Sequence, residues 1–211
     1  MAEHVALLGD SIFDNGSYTQ GEPDVVQHLR EILPNGWTAS LLALDGSTTE
    51  DLESQLAGLE PSVTRVVVSI GGNDALLNID LLDLPVASTR YALKLFGQRA
   101  TLFEGMYRSA IRRVLERHPR VAVCTIYNGN LDESEAGPAR VALMLFNDAI
   151  LRVAFELGLD VIDLRLVCTE RDDYANAIEP SGKGGRKVAR AIARALGALE
   201  EGGSRSRVYA G

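Results

Sequence analysis

The sequence predicts a doubly wound α/β domain built on a parallel sheet. Five short apolar runs, rich in β-branched residues, recur along the 211 residues. Segments of helical apolar periodicity separate them. Most of the runs are nearly continuous in apolar character, as strands covered by helices on both faces must be.

The first run, HVALLG (4–9), leads into the turn-rich GDSIFDNGS (9–17), and PDVVQHLREIL (23–33) then places Val26, Leu29 and Leu33 on one helical face. The second strand is expected in TASLLALDG (38–46). TTEDLESQLAGL (48–59) follows it, opening with a Thr/Glu capping signal and repeating Leu52, Leu56 and Leu59. RVVVSIGG (65–72) is the third strand, and DLLDLPVAS (80–88) reads as a loop or irregular helix before the long amphipathic segment 89–117, which ends ahead of His118-Pro119. RVAVCTIYNG (120–129) gives the fourth strand, Asn130–Pro138 a loop, and 138–157 a helix. DVIDLRLV (160–167) and a last helix over 181–199 complete the pattern. With no internal repeat and no linker, residues 1–200 read as one domain, and the composition of 201–211 predicts a flexible tail.

Hydrophobic residues make up 46% and charged residues 24%, the balance of a soluble globular protein. A net charge of −8 disfavours nucleic acid and anionic lipid as partners. MAEHVALLGDS lacks the basic start of a signal peptide, and no apolar stretch approaches a membrane span. Cys124 and Cys168 read as buried thiols, not a disulfide framework, so a cytoplasmic location is expected.

In open parallel sheets, ligands bind beyond the carboxyl ends of the strands. Each predicted strand is followed there by a polar or glycine-rich group: Gly9-Asp10-Ser11, Asp45-Gly46-Ser47, Gly71-Gly72-Asn73-Asp74, Tyr127-Asn128-Gly129-Asn130, and the stretch from Asp172 to Ser181. Singly, each has an ordinary explanation. Ser11 could cap a helix, Gly46 could sit in a left-handed turn, and Asn73 and Asn128 are common turn residues. Together they converge on one sheet edge. A serine on a tight turn, with amide donors nearby, suits acyl transfer.

GDS at 9–11, the glycine after strand two and GGND at 71–74 resemble the first three blocks of the SGNH/GDSL hydrolases. The resemblance implies a flavodoxin-like three-layer α/β/α sandwich with five parallel strands in the order 2-1-3-4-5. It implies that Ser11 is the nucleophile and that the Ser11 amide, the Gly46 amide and the Asn73 side chain form the oxyanion hole. Asp10 is expected to hold the nucleophile turn, with Asp74 and Asn128 supporting the site. The substrate would be a small molecule with an acyl or ester group, and no cofactor or metal is called for.

The last block departs from the family. Where the family has Asp-x-x-His, this chain has Asn176-Ala177-Ile178-Glu179, followed by Pro180-Ser181 and Gly184-Gly185. His4 and His118 fall at the amino edge of the sheet and His28 lies inside the first helix, so none replaces the missing imidazole. Glu179 is therefore the expected base, its pKa raised by burial, with neutral Asn176 orienting it. A non-hydrolytic binding pocket and an acyltransferase remain alternative readings. Glu133 and Glu135, in the predicted 130–138 loop, are expected to make the pocket rim acidic. Asp14, Asp74 and Glu179 lack a metal-site spacing, and Gly182-Lys183-Gly184-Gly185 lacks the spacing of a phosphate loop.

Overall fold

A computed structural model describes residues 2–199 and Val208. Its strands, β1 (His4–Gly9), β2 (Thr38–Leu41), β3 (Arg65–Ser69), β4 (Val121–Cys124) and β5 (Asp160–Ile162), form one parallel sheet in the order β2-β1-β3-β4-β5. Leu7 sits in register with Leu41 on one side and Val67 on the other. Because successive side chains alternate between faces, Val5, Leu7, Val67 and Cys124 pack under α1 (Val25–Ile32) and α6 (Gly182–Ala195). Ala6, Leu8, Val66, Val68 and Val123 pack under α2 (Leu52–Leu56), α4 (Thr89–Arg117) and α5 (Glu133–Glu156). The result is the expected three-layer sandwich.

Every strand but the first ends earlier than its apolar run. Residues 42–46, 70–71, 125–129 and 163–167 leave the ladder and become the loops of the carboxyl edge. GGND is partly helical, since α3 (Gly72–Leu76) begins inside it, and a 3-10 turn at Ile79–Leu82 accounts for the irregular stretch that follows. The helix expected from 138 begins instead at Glu133, which corrects the loop reading of 130–138. Pro138 lies inside that helix and forfeits one main-chain bond there. Glu133 and Glu135 occupy the first turn, where the helix dipole favours acids. The predicted tail, 201–211, lies outside the described residues except for exposed Val208.

The two long helices overshoot the sheet. α4 has 29 residues, about 44 Å at 1.5 Å per residue, and its buried residues run from Phe103 to Val114. Those of α5 run from Phe146 to Ala154. Both amino-terminal halves therefore stand beyond the carboxyl edge.

Gly9 ends β1 at φ +136, and a Cβ there would stand 1.8 Å from the Ser69 carbonyl oxygen, so only glycine lets the strand leave β3 this closely. The Gln55 amide takes the place of a missing strand neighbour. Its Oε1 accepts from the Gly9 N–H at 2.8 Å, and its Nε2 donates to the Gly9 carbonyl at 2.7 Å and to Ser47 Oγ at 3.1 Å. Replacing Gln55 with leucine keeps the volume but strands a buried N–H. Urea titration of Gln55→Leu should show a loss of about 1–3 kcal/mol, the cost of one unsatisfied buried group.

Candidate active site

Ser11 does not cap a helix. The first helix starts at Val25 and is capped by Asp24, whose side chain accepts from the Gln27 N–H. Ser11 sits instead in a turn wound around Asp10. The Phe13 and Asp14 N–H groups donate to the Asp10 carbonyl, each at 3.1 Å, and the Ile12 N–H donates to Asp10 Oδ1 at 3.1 Å. The Ser11 N–H meets no acceptor among the described residues.

Ser11 Oγ donates to Glu179 Oε1 at 3.1 Å, and the two side chains belong to residues 168 positions apart. Glu179 is 6% exposed, and its Oε2 is buried with no hydrogen-bond partner among the described residues. Four contacts hold its loop. The Tyr127 hydroxyl donates to the Ile178 carbonyl, the Asn130 N–H to the Ala177 carbonyl at 2.8 Å, the Ala175 N–H to the Glu179 carbonyl at 2.8 Å, and Asn15 Nδ2 to the Pro180 carbonyl at 3.2 Å. Asn176 acts on the main chain: its Oδ1 accepts from the Ile178 and Glu179 N–H groups, both at 2.9 Å. It shapes the turn that carries Glu179 and makes no hydrogen bond to the carboxylate. Burial raises the Glu179 pKa above the ordinary glutamate value. The Ser11 hydrogen bond opposes that shift and the negative charge of Asp45 adds to it.

The second and third loops are tied together. Gly46 has φ +80 and lies between two anchored residues. The Asp45 N–H donates to Asp14 Oδ2 at 2.9 Å, and the Tyr18 hydroxyl donates to Asp45 Oδ2 at 2.6 Å. On the other side, the Ser47 carbonyl accepts from Asn73 Nδ2 at 2.8 Å. That bond uses one amide hydrogen of Asn73 and leaves the second. The Gly46 N–H has no acceptor among the described residues. Buried Asp74 accepts from Thr49 N–H and Oγ1 at 3.0 and 2.7 Å, which fastens the third loop to the second.

Asp10, Ser11, Asn73, Asn128 and Glu179 line one cavity of about 140 Å³. Gly46, Asp74 and Asn176 stand outside its lining, Gly46 exposed on its loop and Asp74 buried. The acidic rim expected from Glu133 and Glu135 is not found. Both are exposed and neither lines the cavity, because the early start of α5 presents Ala139, Ala142 and Leu143 to that wall instead. None of the three histidines lines it. His28 is buried with Nε2 3.0 Å from the Gly182 carbonyl oxygen, and His4 lies between Ser40 and Ser62. Among the described residues, no group of three or more His, Cys, Asp or Glu side chains could hold a metal ion, and no helix is long and apolar enough to cross a membrane. Cys124 and Cys168 are free and buried.

Tyr127 and Gln55 support the site. The sequence places Tyr127 in the polar group after strand four but gives no sign of its bond to Ile178, and Gln55 lies in an amphipathic helix where an amide reads as surface.

Residues 7–187 match the GDSL-like lipase/acylhydrolase family, and the chain belongs to that family. Solved structures with the same fold include a lipolytic G-D-S-L family protein from Veillonella parvula, with a TM-score of 0.69 and 17% identity over 94% of this chain and 100% of that one. A phospholipase A1 from Streptomyces albidoflavus has a TM-score of 0.66 and 20% identity over 92% of this chain and 99% of that one. An acetylxylan esterase from Geobacillus stearothermophilus has a TM-score of 0.66 and 18% identity over 92% of this chain and 94% of that one. No curated protein matches the sequence.

Burial pushes the Asp10 carboxyl up to about 8; the Ile12 N–H opposes this, and the charges of Glu179 and Asp74 reinforce it. The folded protein therefore keeps a proton on Asp10 over a range where the unfolded chain, near the ordinary aspartate value of 3.8, has lost it. Stability contributed by that proton is full below about pH 4 and is lost as pH rises toward about 8. An asparagine side chain in its place would mimic the neutral acid. In melts from pH 5 to 9, Asp10→Asn should flatten the decline and exceed wild type at pH 9 by several degrees, at about 2–4 °C per kcal/mol.

Proposed function

We propose that the chain hydrolyses acyl esters, with Ser11 as nucleophile and Glu179 as the base in the position where its family has histidine. The observation that carries this reading is the Ser11 Oγ to Glu179 Oε1 hydrogen bond of 3.1 Å. As Ser11 Oγ attacks the ester carbonyl carbon, its proton passes to Glu179. The carbonyl oxygen becomes an oxyanion, for which the free Ser11 and Gly46 N–H groups and the second Asn73 amide hydrogen are the donors. The tetrahedral intermediate collapses, the carbon–oxygen bond to the alcohol breaks, and Glu179 protonates the departing alkoxide. Water then attacks the acyl-serine, giving its proton to Glu179, and the acid leaves as the proton returns to Ser11.

A carboxylate base explains why asparagine can replace the family's aspartate. An imidazole base becomes cationic when it takes the proton, so a neighbouring carboxylate stabilises it. Glutamate becomes neutral, and an aspartate beside it would only add repulsion before the proton arrives. Burial supplies the basicity, since an uncompensated carboxylate with one unpartnered oxygen takes a proton more readily than an exposed one. The neighbours named for phospholipase and acetylxylan esterase activity are in keeping with an ester as substrate. We assign the activity to one catalytic domain over 1–200 and place it in the cytoplasm.

Hydrolysis of p-nitrophenyl esters tests the assignment. Ser11→Ala should reduce the rate to background. Asn73→Ala should cost about 10²–10³ in kcat, and Glu179→Gln about 10²–10⁴. In Asp10→Asn, which removes the other raised carboxyl of the cavity, the rate should rise with pH through a single carboxylic ionisation above the usual glutamate value, with no imidazole-like step near about 6.5. Equal rates for wild type and Ser11→Ala would remove the serine from the mechanism, and full activity in Glu179→Gln would remove the glutamate.

A further inference from the structure

The cavity's lining is mostly apolar, its polar side chains being Asp10, Ser11, Asn73, Asn78, Asn128 and Glu179. Much of the apolar wall is made by Ile79, Leu82, Phe96, Ala142, Leu143 and Phe146, contributed by the 3-10 turn after α3 and by α4 and α5. An apolar cavity of about 150 Å³ holds a benzene molecule, so 140 Å³ has room for roughly six carbons. An acetyl group would leave most of this wall without contact.

Resting on the serine-hydrolase reading, we propose that this cavity is the acyl pocket for linear aliphatic acyl groups of about four to six carbons, and that Ala142 sets their length limit. The direction follows from the proton. The departing alkoxide must receive it from Glu179, whose Oε1 meets Ser11 Oγ among the polar side chains of the lining. The alcohol leaves on that side. The acyl chain stays on the apolar side, held away from water while the acyl-serine awaits hydrolysis. Ala142 faces this space as a methyl group on a helix. A phenyl ring at that position is itself the size of benzene and would fill most of the cavity.

The test is kcat/KM for p-nitrophenyl acetate, butyrate, hexanoate, octanoate and decanoate in wild type, Ala142→Leu and Ala142→Phe. Wild type should gain up to about fourfold per methylene from acetate to hexanoate and nothing beyond, at the transfer free energy of one buried methylene. Ala142→Phe should lower the hexanoate-to-acetate ratio of kcat/KM at least about thirtyfold, with Ala142→Leu between it and wild type. Hexyl acetate should be cleaved no faster than ethyl acetate; a preference for hexyl acetate would make the cavity an alcohol pocket and overturn the proposal. Binding of 1-hexanol, read as a rise in Tm, should appear in wild type and in Ser11→Ala and vanish in Ala142→Phe. That arm needs no chemistry at Ser11. If no ester is turned over but hexanol binding responds to Ala142, the serine reading fails and the pocket stands. A chain-length profile unaltered by Ala142→Phe, or no hexanol binding by wild type, overturns the pocket.

Discussion

A parallel strand that runs past its neighbours leaves buried peptide groups without partners, and such groups must be paired. This constraint shapes the carboxyl edge of the sheet. At the end of β1, Gln55 bonds both the N–H and the carbonyl of Gly9. Past β4, Asn147 does the same for Ile126, accepting from its N–H at 2.8 Å and donating to its carbonyl at 2.9 Å. The two amides come from helices on the same face of the sheet and act as substitute strand neighbours. Because they lock the strand ends, the loops that follow leave from fixed points. Ser11, Asn128 and the bonds that Tyr127 and Asn130 make to the Glu179 loop all inherit that precision.

The same edge concentrates buried acids. Asp10, Asp74 and Glu179 all have carboxyl groups pushed upward, in each case first by burial. No arginine or lysine lines the cavity that Asp10 and Glu179 share. Asp74 is compensated by two bonds from Thr49 and Asp10 by the Ile12 N–H, whereas Glu179 has one serine hydroxyl and an unpartnered oxygen. The loop behind Glu179 is treated differently. Burial also pushes Asp173 upward, but the Lys187 ammonium at 2.8 Å and the Thr169 and Glu170 N–H groups hold it below the usual range. Charge compensation is thus placed where the loop needs anchoring and withheld where a reactive carboxylate is proposed.

The overshoot of α4 and α5 adds the remaining part of the site. A sheet with strands of three to six residues needs only short covering helices. The extra turns of both helices carry Phe96 and Ala142 past the sheet edge and make an apolar wall beside a polar one. The juxtaposition sets Ser11, Asn73 and Glu179 in one cavity with a mostly apolar wall.

The sequence alone determined the alternation of strands and helices, the span of α4, and the polar groups that follow each strand, because periodicity and turn chemistry act between near neighbours. The family's blocks at 9–11 and 71–74 further implied the strand order, and the frame of its last block at 176–181 the meeting of Ser11 with Glu179. Only the tertiary structure decided that Ser11 is no helix cap, that Asn176 bonds the main chain, and that α5 begins at Glu133 and turns the cavity wall apolar. It alone revealed Tyr127 and Gln55 as supports. Each of these depends on which groups packing leaves without a partner. Gln55 and Gly9 are 46 residues apart, and Tyr127 and Ile178 are 51 apart. No local pattern records such a pairing; it arises when the sheet brings distant loops to one edge and burial makes every unpaired group find a neighbour.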